Sequence, residues 1–219
     1  MAGLLRRSEF LWGLLAFFWS VTAAGALYYL LPFDLDTVQH LVASLAGVVL
    51  LCVPLGMGVM GIVGGYLTDR YRARPLILTG SGLLLVGSLL LTLKVHSLTA
   101  AVDLAWRLLL VGIGIDLFSG PNQTLLVSVG ERETMGAASA LSNVGARIGS
   151  VCGPLVVGLS WTFLASFSIQ MSVGIVLIDG FAALTLLFAW LAVTRRSRGV
   201  SSEEGPEIAS DGRAHAEVH

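Results

Sequence analysis

The sequence predicts an all-α membrane protein with six transmembrane helices, and three observations lead to that fold class. Apolar residues make up 55% of the 219 residues and charged residues only 12%, whereas a soluble domain carries about 25% charged residues. The 26 glycines suit the close helix contacts of proteins embedded in a bilayer. Apolar runs of about 20 residues, the length that crosses the hydrocarbon as a helix, recur along the chain.

Polar segments separate the apolar runs and set the domain organisation. A membrane domain over residues 1–198 precedes residues 199–219, whose Ser, Glu and Gly content predicts a disordered cytoplasmic tail. The first run can also be read as a cleavable signal peptide, because Arg6 and Arg7 precede it. However, it continues to Leu31 and is long enough to span. The predicted spans cover residues 10–31, 41–67, 76–93, 104–129, 135–164 and 169–193.

Basic residues in the loops predict the orientation of the chain, since cytoplasmic loops are enriched in Lys and Arg. With the N-terminus inside, the outer loops hold Lys94 together with Asp34 and Asp36. Both termini are therefore expected in the cytoplasm and the protein in the plasma (inner) membrane. The arginines of the inner side are Arg6, Arg7, Arg70, Arg72, Arg74, Arg132, Arg195, Arg196 and Arg198.

The loop after the second span carries an acid among its arginines. An ordinary positive-inside loop would explain the arginines, but Asp69 adds nothing to the topology signal. An acid there can pair with arginine and accept hydrogen bonds from the N-terminus of the next helix. Such a tie would hold two helices together at the cytoplasmic side and break when the protein changes state.

This loop resembles the signature G-x-x-x-D-R-x-G-R-[KR] of the major facilitator superfamily of secondary transporters. The sequence departs from the signature at Arg72, where the family has glycine, and at Ala73, where it has a basic residue. The matching residues are Gly65, Asp69, Arg70 and Arg74.

Later segments resemble the C-terminal half of the drug/proton antiporters in this superfamily. Residues 112–122, GIGIDLFSGPN, look like the fourth helix of that half, and residues 136–149 look like the helix that follows. Residues 149–158 also resemble the antiporter signature G-x-x-x-G-P-x-x-G-G, with Val157 in place of one glycine. The resemblance implies a six-helix half of a major facilitator transporter, most like the multidrug/proton antiporter branch.

Small residues on the fifth span share one face. They lie four apart, which lets two helix backbones approach closely. Simple close packing of helices is the favoured interpretation of this face. In the family the second and fifth helices of each half meet the other half, so docking of a missing partner on this face is the alternative that the resemblance implies. The helix-packing motif comprises Gly145, Gly149, Gly153 and Pro154.

Charged residues inside the spans are costly, at about 2.5–3.5 kcal/mol each near mid-membrane, so each predicts a specific role. Asp103 and Arg107 lie four apart near the outer surface and are expected to pair with each other. Asp116 is expected to share a polar face of the fourth span with Ser119 and Gln123.

The resemblance makes Asp116 the first candidate for proton exchange or for contact with a cationic drug, because the first and fourth helices of each half line the central cavity in the family. A structural ion pair with Arg147 is the alternative. Asp179, on the sixth span, is expected to turn inward to a partner or to be held neutral. The transport and proton-coupling candidates are Asp116, Arg147, Asp179, Gln123 and Ser119.

The resemblance implies transport of small molecules, as half of a secondary transporter, in proton-coupled efflux of drugs or metabolites. Carriers of this superfamily are built from two six-helix halves. The chain is therefore expected to be a fragment of a longer protein, a half that pairs with a second half or with its own copy, or a truncated, partner-dependent protein without transport of its own.

A membrane enzyme is the less favoured class, because the sequence contains no G-x-S-x-G and no H-E-x-x-H. Cys52 and Cys152 sit inside apolar runs and are interpreted as small buried residues. No catalytic residue, metal site or cofactor is expected. The expected partners are the lipid bilayer, a cationic or lipophilic small molecule and protons, and no nucleic acid.

Overall fold

The computed structural model describes residues 8–39, 41–71, 73–93, 100–128, 135–163 and 166–203. These residues form six long helices without a β-strand in the described part of the chain, which confirms the predicted fold class. A π-helical turn, Asp34–Val38, continues the first helix. The helices are α1 Ser8–Phe33, α2 Ala43–Arg70, α3 Ala73–Thr92, α4 Ala100–Ser128, α5 Met135–Thr162 and α6 Phe167–Glu203.

Five of these helices, α1, α2, α3, α5 and α6, are long and apolar enough to cross a membrane by length and composition. The fourth, α4, is not among them, and its 29 residues include three charged ones, Asp103, Arg107 and Asp116. It nevertheless packs along both α2 and α3. Its length and its neighbours place it in the same layer as the other five.

The last helix extends further than the sequence indicates. Residues 199–219 are predicted as a disordered tail, but α6 continues through Arg198 to Glu203. The sequence explains the difference, because the first strong helix-breaking pair in this region, Gly205 and Pro206, comes only after Glu203. Residues 204–219 of the predicted tail lie outside the described residues.

The packing divides the helices into two equivalent groups of three. α4 packs against α2 and α3, and α1 packs against α5 and α6 in the same manner. α3 contacts α6, and α1 contacts α4. Exchanging α1 with α4, α2 with α5 and α3 with α6 therefore leaves the contact pattern unchanged.

The helices α1 and α4, which correspond to each other in the two groups, run in opposite directions. Near the start of α1, the Gly13 carbonyl accepts a hydrogen bond from Nδ2 of Asn122, near the end of α4, at 3.2 Å. α1 and α4 are therefore antiparallel. Two three-helix repeats related in this inverted way are the construction found within each half of major facilitator carriers.

Glycines make the closest approaches inside each group. In the α2–α4 crossing, Gly112 lies against the Val53 carbonyl and Gly56 against the Leu109 carbonyl. In the α1–α5 crossing, Gly153 lies against the Thr22 carbonyl, and a Cβ at Gly25 would come within 2.8 Å of the Ser150 carbonyl oxygen. A side chain at any of these glycines would meet the backbone of the neighbouring helix.

The small-residue face of α5 is therefore covered within the chain. Gly149 and Gly153 lie against the backbone of α1, and Gly145 lies beside Leu14 of the same helix. The prediction that a partner docks on this face is wrong, because α1 occupies it. The exposed side of α5 carries larger apolar residues, namely Val144, Ile148, Val151, Leu155 and Leu159.

Candidate functional site

The candidate site is centred on Asp116, near the middle of α4. Asp116 is half-buried, and its Oδ2 lies 3.5 Å from the point where a Cβ at Gly61 of α2 would stand. Among the described residues, Asp116 makes neither a hydrogen bond nor an ion pair. A carboxyl group within the membrane layer is thus left open to a proton or to a ligand, and the absence of a side chain at Gly61 gives it room.

Ser119 and Gln123 follow Asp116 towards the end of α4. The Ser119 hydroxyl donates to the Ile115 carbonyl of its own helix at 2.7 Å, so its donor is already used. Gln123 is exposed on the surface of the six-helix unit. The polar stripe predicted for this helix therefore consists of one half-buried acid, one internally bonded hydroxyl and one exposed amide.

Arg147 lies on the exposed side of α5, next to Ile148. Among the described residues, no ion pair joins Arg147 to Asp116. Asn143 and Ser150, one turn away in either direction, are also exposed. Arg147 thus adds a cation to a polar patch on α5 instead of neutralising Asp116.

Asp179 is tied to the end of α3. The Thr92 hydroxyl, at the last residue of α3, donates to Oδ2 of Asp179 at 2.7 Å. The other oxygen, Oδ1, is buried without a hydrogen-bond partner. The structure therefore brings Asp179 to α3, while Asp116 lies against α2.

Arg107 binds α4 to the same end of α3. Its guanidinium forms an ion pair of 2.6 Å with Asp103, which confirms the predicted pairing. The Arg107 NH1 group also donates to the carbonyls of Leu90 and Leu93, the latter at 2.7 Å. The Leu90 carbonyl lies in the final turn of α3, which ends at Thr92, and the Leu93 carbonyl comes directly after that turn. Trp106 completes the arrangement by donating from Nε1 to Asp103 Oδ1 at 3.0 Å.

The residues of the loop motif lie at the junction of α2 and α3. Arg70 is in the last turn of α2 and donates from NH1 to the Tyr66 hydroxyl at 2.9 Å. Arg74 lies in the first turn of α3, and Gly65 is exposed on α2. The side chain of Asp69 and all of Arg72 lie outside the described residues. The charge tie expected at Asp69 remains a prediction.

Sequence reasoning missed a second polar position, on α1. The Tyr29 hydroxyl lies 3.5 Å from the point where a Cβ at Gly158 of α5 would stand. The Tyr29 ring contacts Phe33 and Trp161, with ring centroids 5.5 and 5.8 Å away. The spacing of the glycines could have indicated this position, since Gly158 follows Gly153 on α5 by the same five residues that separate Gly61 from Gly56 on α2.

Neither cysteine is in a disulfide. Cys52 and Cys152 are free and half-buried, in accordance with the sequence interpretation. Within the described residues, no group of His, Cys, Asp and Glu has the geometry to hold a metal ion.

Two inverted three-helix repeats with a carboxyl group inside the membrane layer are an architecture found among secondary transporters. The sequence profile of the Major Facilitator Superfamily matches residues 13–215. The chain belongs to this superfamily.

Curated relatives include transporters and efflux pumps. The uncharacterized transporter YebQ of Escherichia coli K12 is 32% identical over 129 residues, which are 59% of this chain and 28% of that protein. The multidrug efflux pump LfrA of Mycolicibacterium smegmatis is 27% identical over 79% of this chain and 34% of its own length. The aligned chain thus spans about a third of the length of such relatives.

Solved structures show the same fold. The crystal structure of the peptide transporter POT matches with a TM-score of 0.70 and 17% identity, over 95% of this chain and 45% of that one. The inward-open xylose transporter XylE from E. coli matches with a TM-score of 0.65 and 17% identity, over 94% of this chain and 53% of that one. At this level of identity the likeness concerns the fold.

Proposed function

We propose that the chain forms one six-helix half of a secondary transporter that moves small molecules across the plasma membrane. The membership in the superfamily and the transporter relatives support this function. In such carriers, two halves rock about a site near the middle of the bilayer, and the site opens to one side at a time. The proposed orientation has both termini in the cytoplasm, because the loop arginines lie on that side.

The observation that carries the proposal is the unpartnered carboxyl of Asp116. It lies near the middle of α4, and no described residue donates a hydrogen bond to it or pairs with it. A charged side chain inside a membrane span costs free energy, and an acid retained there therefore indicates a functional position. We infer that this carboxyl takes up a proton on one side of the membrane and releases it on the other as the site changes its exposure.

The proposed substrates are drugs or lipophilic metabolites, and the proposed direction is efflux. The support is the similarity to LfrA, a multidrug efflux pump, which extends over 79% of this chain. MdtH of Proteus mirabilis, a multidrug resistance protein, is 31% identical over 60% of this chain. The carboxylate form of Asp116 would attract a cationic substrate. The substrate and a proton would then compete for this carboxylate, which gives antiport a physical basis.

The test is the Asp116→Asn variant of the protein, expressed from its own gene and reconstituted into liposomes. The amide keeps the shape of the carboxyl and removes the titrating group, so folding and insertion should persist. Uptake driven by a proton gradient should fall at least about tenfold, while exchange of substrate across the membrane without a gradient should continue. Asp36→Asn is the matched control, because Asp36 is exposed beyond the end of α1. Full proton-driven uptake by a stable Asp116→Asn protein would reject the coupling role.

The alternative is a membrane protein that depends on a partner and does not transport by itself. It predicts that the six-helix unit inserts normally but moves no dye in liposomes unless a second six-helix unit is present. Uptake by a demonstrated monomer of this 219-residue chain would contradict both this alternative and the half-transporter proposal. Uptake by a dimer of the chain would support the proposal with a second copy as the partner.

A further inference from the structure

The glycine crossings of the two repeats have the same internal spacing. On α4, Leu109 and Gly112 contact α2, and on α1, Thr22 and Gly25 contact α5, and the members of each pair are three positions apart. Val53 and Gly56 on α2 correspond in the same way to Ser150 and Gly153 on α5. The contacts are also reciprocal in both crossings, since each helix contributes one carbonyl and one glycine.

The correspondence extends to the polar side chains beside the crossings. Asp116 lies four residues after Gly112, and Tyr29 lies four residues after Gly25. Asp116 Oδ2 and the Tyr29 hydroxyl each lie 3.5 Å from the Cβ point of a glycine, Gly61 and Gly158 respectively. Those two glycines follow Gly56 and Gly153 by the same five residues. Asp116 and Tyr29 therefore occupy equivalent places in the two repeats.

The inverted relationship puts these two places on opposite sides of the crossings. The helices α1 and α4 are antiparallel, as the Asn122–Gly13 hydrogen bond requires. A step of four residues from the crossing along α1 therefore leads in the opposite direction to the same step along α4. A helix rises 1.5 Å per residue, so each polar tip is displaced by about 6 Å from its crossing, towards opposite faces of the membrane. With the N-terminus inside, Tyr29 lies on the outer side and Asp116 on the inner side.

Tyr29 also has an unused polar group. Its hydroxyl makes no hydrogen bond with any described residue, whereas the neighbouring Tyr28 hydroxyl donates to Met57 Sδ at 3.9 Å. The Tyr29 ring is held by Phe33 and Trp161, so the hydroxyl is positioned without being consumed. A positioned, unpartnered hydroxyl next to a glycine can accept a ligand with little rearrangement.

We propose that Tyr29 is the counterpart of Asp116 and supplies the polar contact to substrate on the outer side of the same transport site. The inference rests on the proposed transport function. It states that Tyr29 is reached from the outer side alone, whereas Asp116 is reached from either side in turn as the site changes its exposure. Asp116 carries the proton, and the Tyr29 hydroxyl contributes a hydrogen bond without changing its charge.

The first test measures accessibility, which does not depend on transport. The experiment uses the protein as expressed from its own gene, with Cys52 and Cys152 replaced by alanine. Tyr29→Cys and Asp116→Cys are made separately in this background. A membrane-impermeant maleimide should label position 29 from outside intact cells but not in inside-out vesicles, and should label position 116 in inside-out vesicles when the site is open to the cytoplasm. Conditions that raise labelling of position 29 from outside should lower labelling of position 116 in inside-out vesicles. Labelling of position 29 in inside-out vesicles, or a change in the same direction at positions 29 (from outside) and 116 (from inside), would overturn the proposal.

The second test measures the contribution of the Tyr29 hydroxyl to substrate binding. Tyr29→Phe keeps the aromatic contacts and should raise the substrate concentration for half-maximal transport by about three- to tenfold, the loss expected for one hydrogen bond. Tyr28→Phe is the matched control and should change it less than about twofold. An equal effect of both variants, or none at Tyr29, would also overturn the proposal. If Asp116→Asn retains coupling while labelling is reciprocal, the proton role fails and the counterpart relationship stands.

Discussion

Gly112 lies directly against the backbone carbonyl of Val53, so that a side chain at Gly112 would overlap the α2 backbone. Gly56 makes the reciprocal contact with the Leu109 carbonyl on α4. Helices in membranes associate through close packing of this kind, because lipid provides no hydrophobic driving force between them. The crossing therefore fixes the distance and the register between the helix that carries Asp116 and the helix that carries Gly61.

Gly112→Ala should destabilise the protein. The added methyl group meets backbone atoms of Val53, which cannot rotate away as a flexible side chain can. Overpacking of this kind costs roughly 1–3 kcal/mol. The measurement is the midpoint of thermal unfolding in detergent micelles, followed by the amount of folded protein that survives heating. Gly153→Ala, at the equivalent crossing against Thr22, should lower the midpoint of thermal unfolding in the same way.

Gly58→Ala is the control for this prediction. Gly58 lies in the same α2 helix, and a Cβ there would meet nothing within 4 Å. Alanine favours the helix by about 0.5–1 kcal/mol over glycine, so stability should stay equal or rise. If Gly112→Ala is as stable as Gly58→Ala, the close crossing of α2 and α4 is absent in the membrane.

Apolar runs were sufficient to predict six long helices, because length and hydropathy are properties of single segments. Which helix packs on a given face, by contrast, depends on two segments of the chain together. The glycine face of α5 was predicted correctly as a packing face, but the sequence does not state whether α1 or a partner covers it. The structure answers this through the contact of Gly153 with Thr22.

The same limit applies to the charged residues. The pair Asp103–Arg107 was predictable because its members lie one helical turn apart. The hydrogen bond from Thr92 to Asp179 joins residues 87 positions apart and has no local signature. Asp116 was found from its charge within an apolar run, whereas Tyr29, which is uncharged, became visible only through the repeat.

Arg107→Met should lower stability substantially. The substitution breaks the ion pair with Asp103 and removes the guanidinium donor from the carbonyls of Leu90 and Leu93, of which Leu90 keeps only the Leu93 N–H. Removing one member of a buried pair costs roughly 3–5 kcal/mol, and the partial exposure of Asp103 puts the expected loss near the lower end. The measurement is the folded fraction after heating in micelles.

Two further variants separate the contributions at Arg107. Arg107→Lys keeps the charge but loses the planar fork that contacts Asp103 and α3 together, so its loss should be intermediate. Adding Asp103→Asn to Arg107→Met should recover only part of the stability, because the α3 carbonyls remain uncapped. Complete recovery in the double variant would mean that the contacts with α3 contribute nothing.

The orientation is tested with reporter fusions at the loops. Reporters fused after Arg74, Glu133 and Arg198 should be active only in the cytoplasm, and those fused after Asp36 and Lys94 only outside. The reason is the concentration of loop arginines on one side of the six spans. The last of these sites tests α6 as well, since Arg198 lies within that helix. A cytoplasmic signal after Lys94 would contradict the six-span topology.

Asp179 differs from Asp116 in its surroundings, and parallel substitutions should separate their roles. Asp179 Oδ2 accepts a hydrogen bond from Thr92 at the end of α3, so Asp179→Asn keeps an acceptor for the Thr92 hydroxyl and should leave proton-driven transport within about threefold of the original. Asp179→Leu removes the acceptor and should reduce the amount of folded protein, by roughly 0.5–1.5 kcal/mol for the lost hydrogen bond. Thr92→Val, which removes the donor and leaves a buried acid, should cost at least as much. The measurements are yield of folded protein and proton-driven uptake for each variant. A stable Asp179→Asn protein that has lost coupling, as predicted for Asp116→Asn, would instead make Asp179 a second proton carrier.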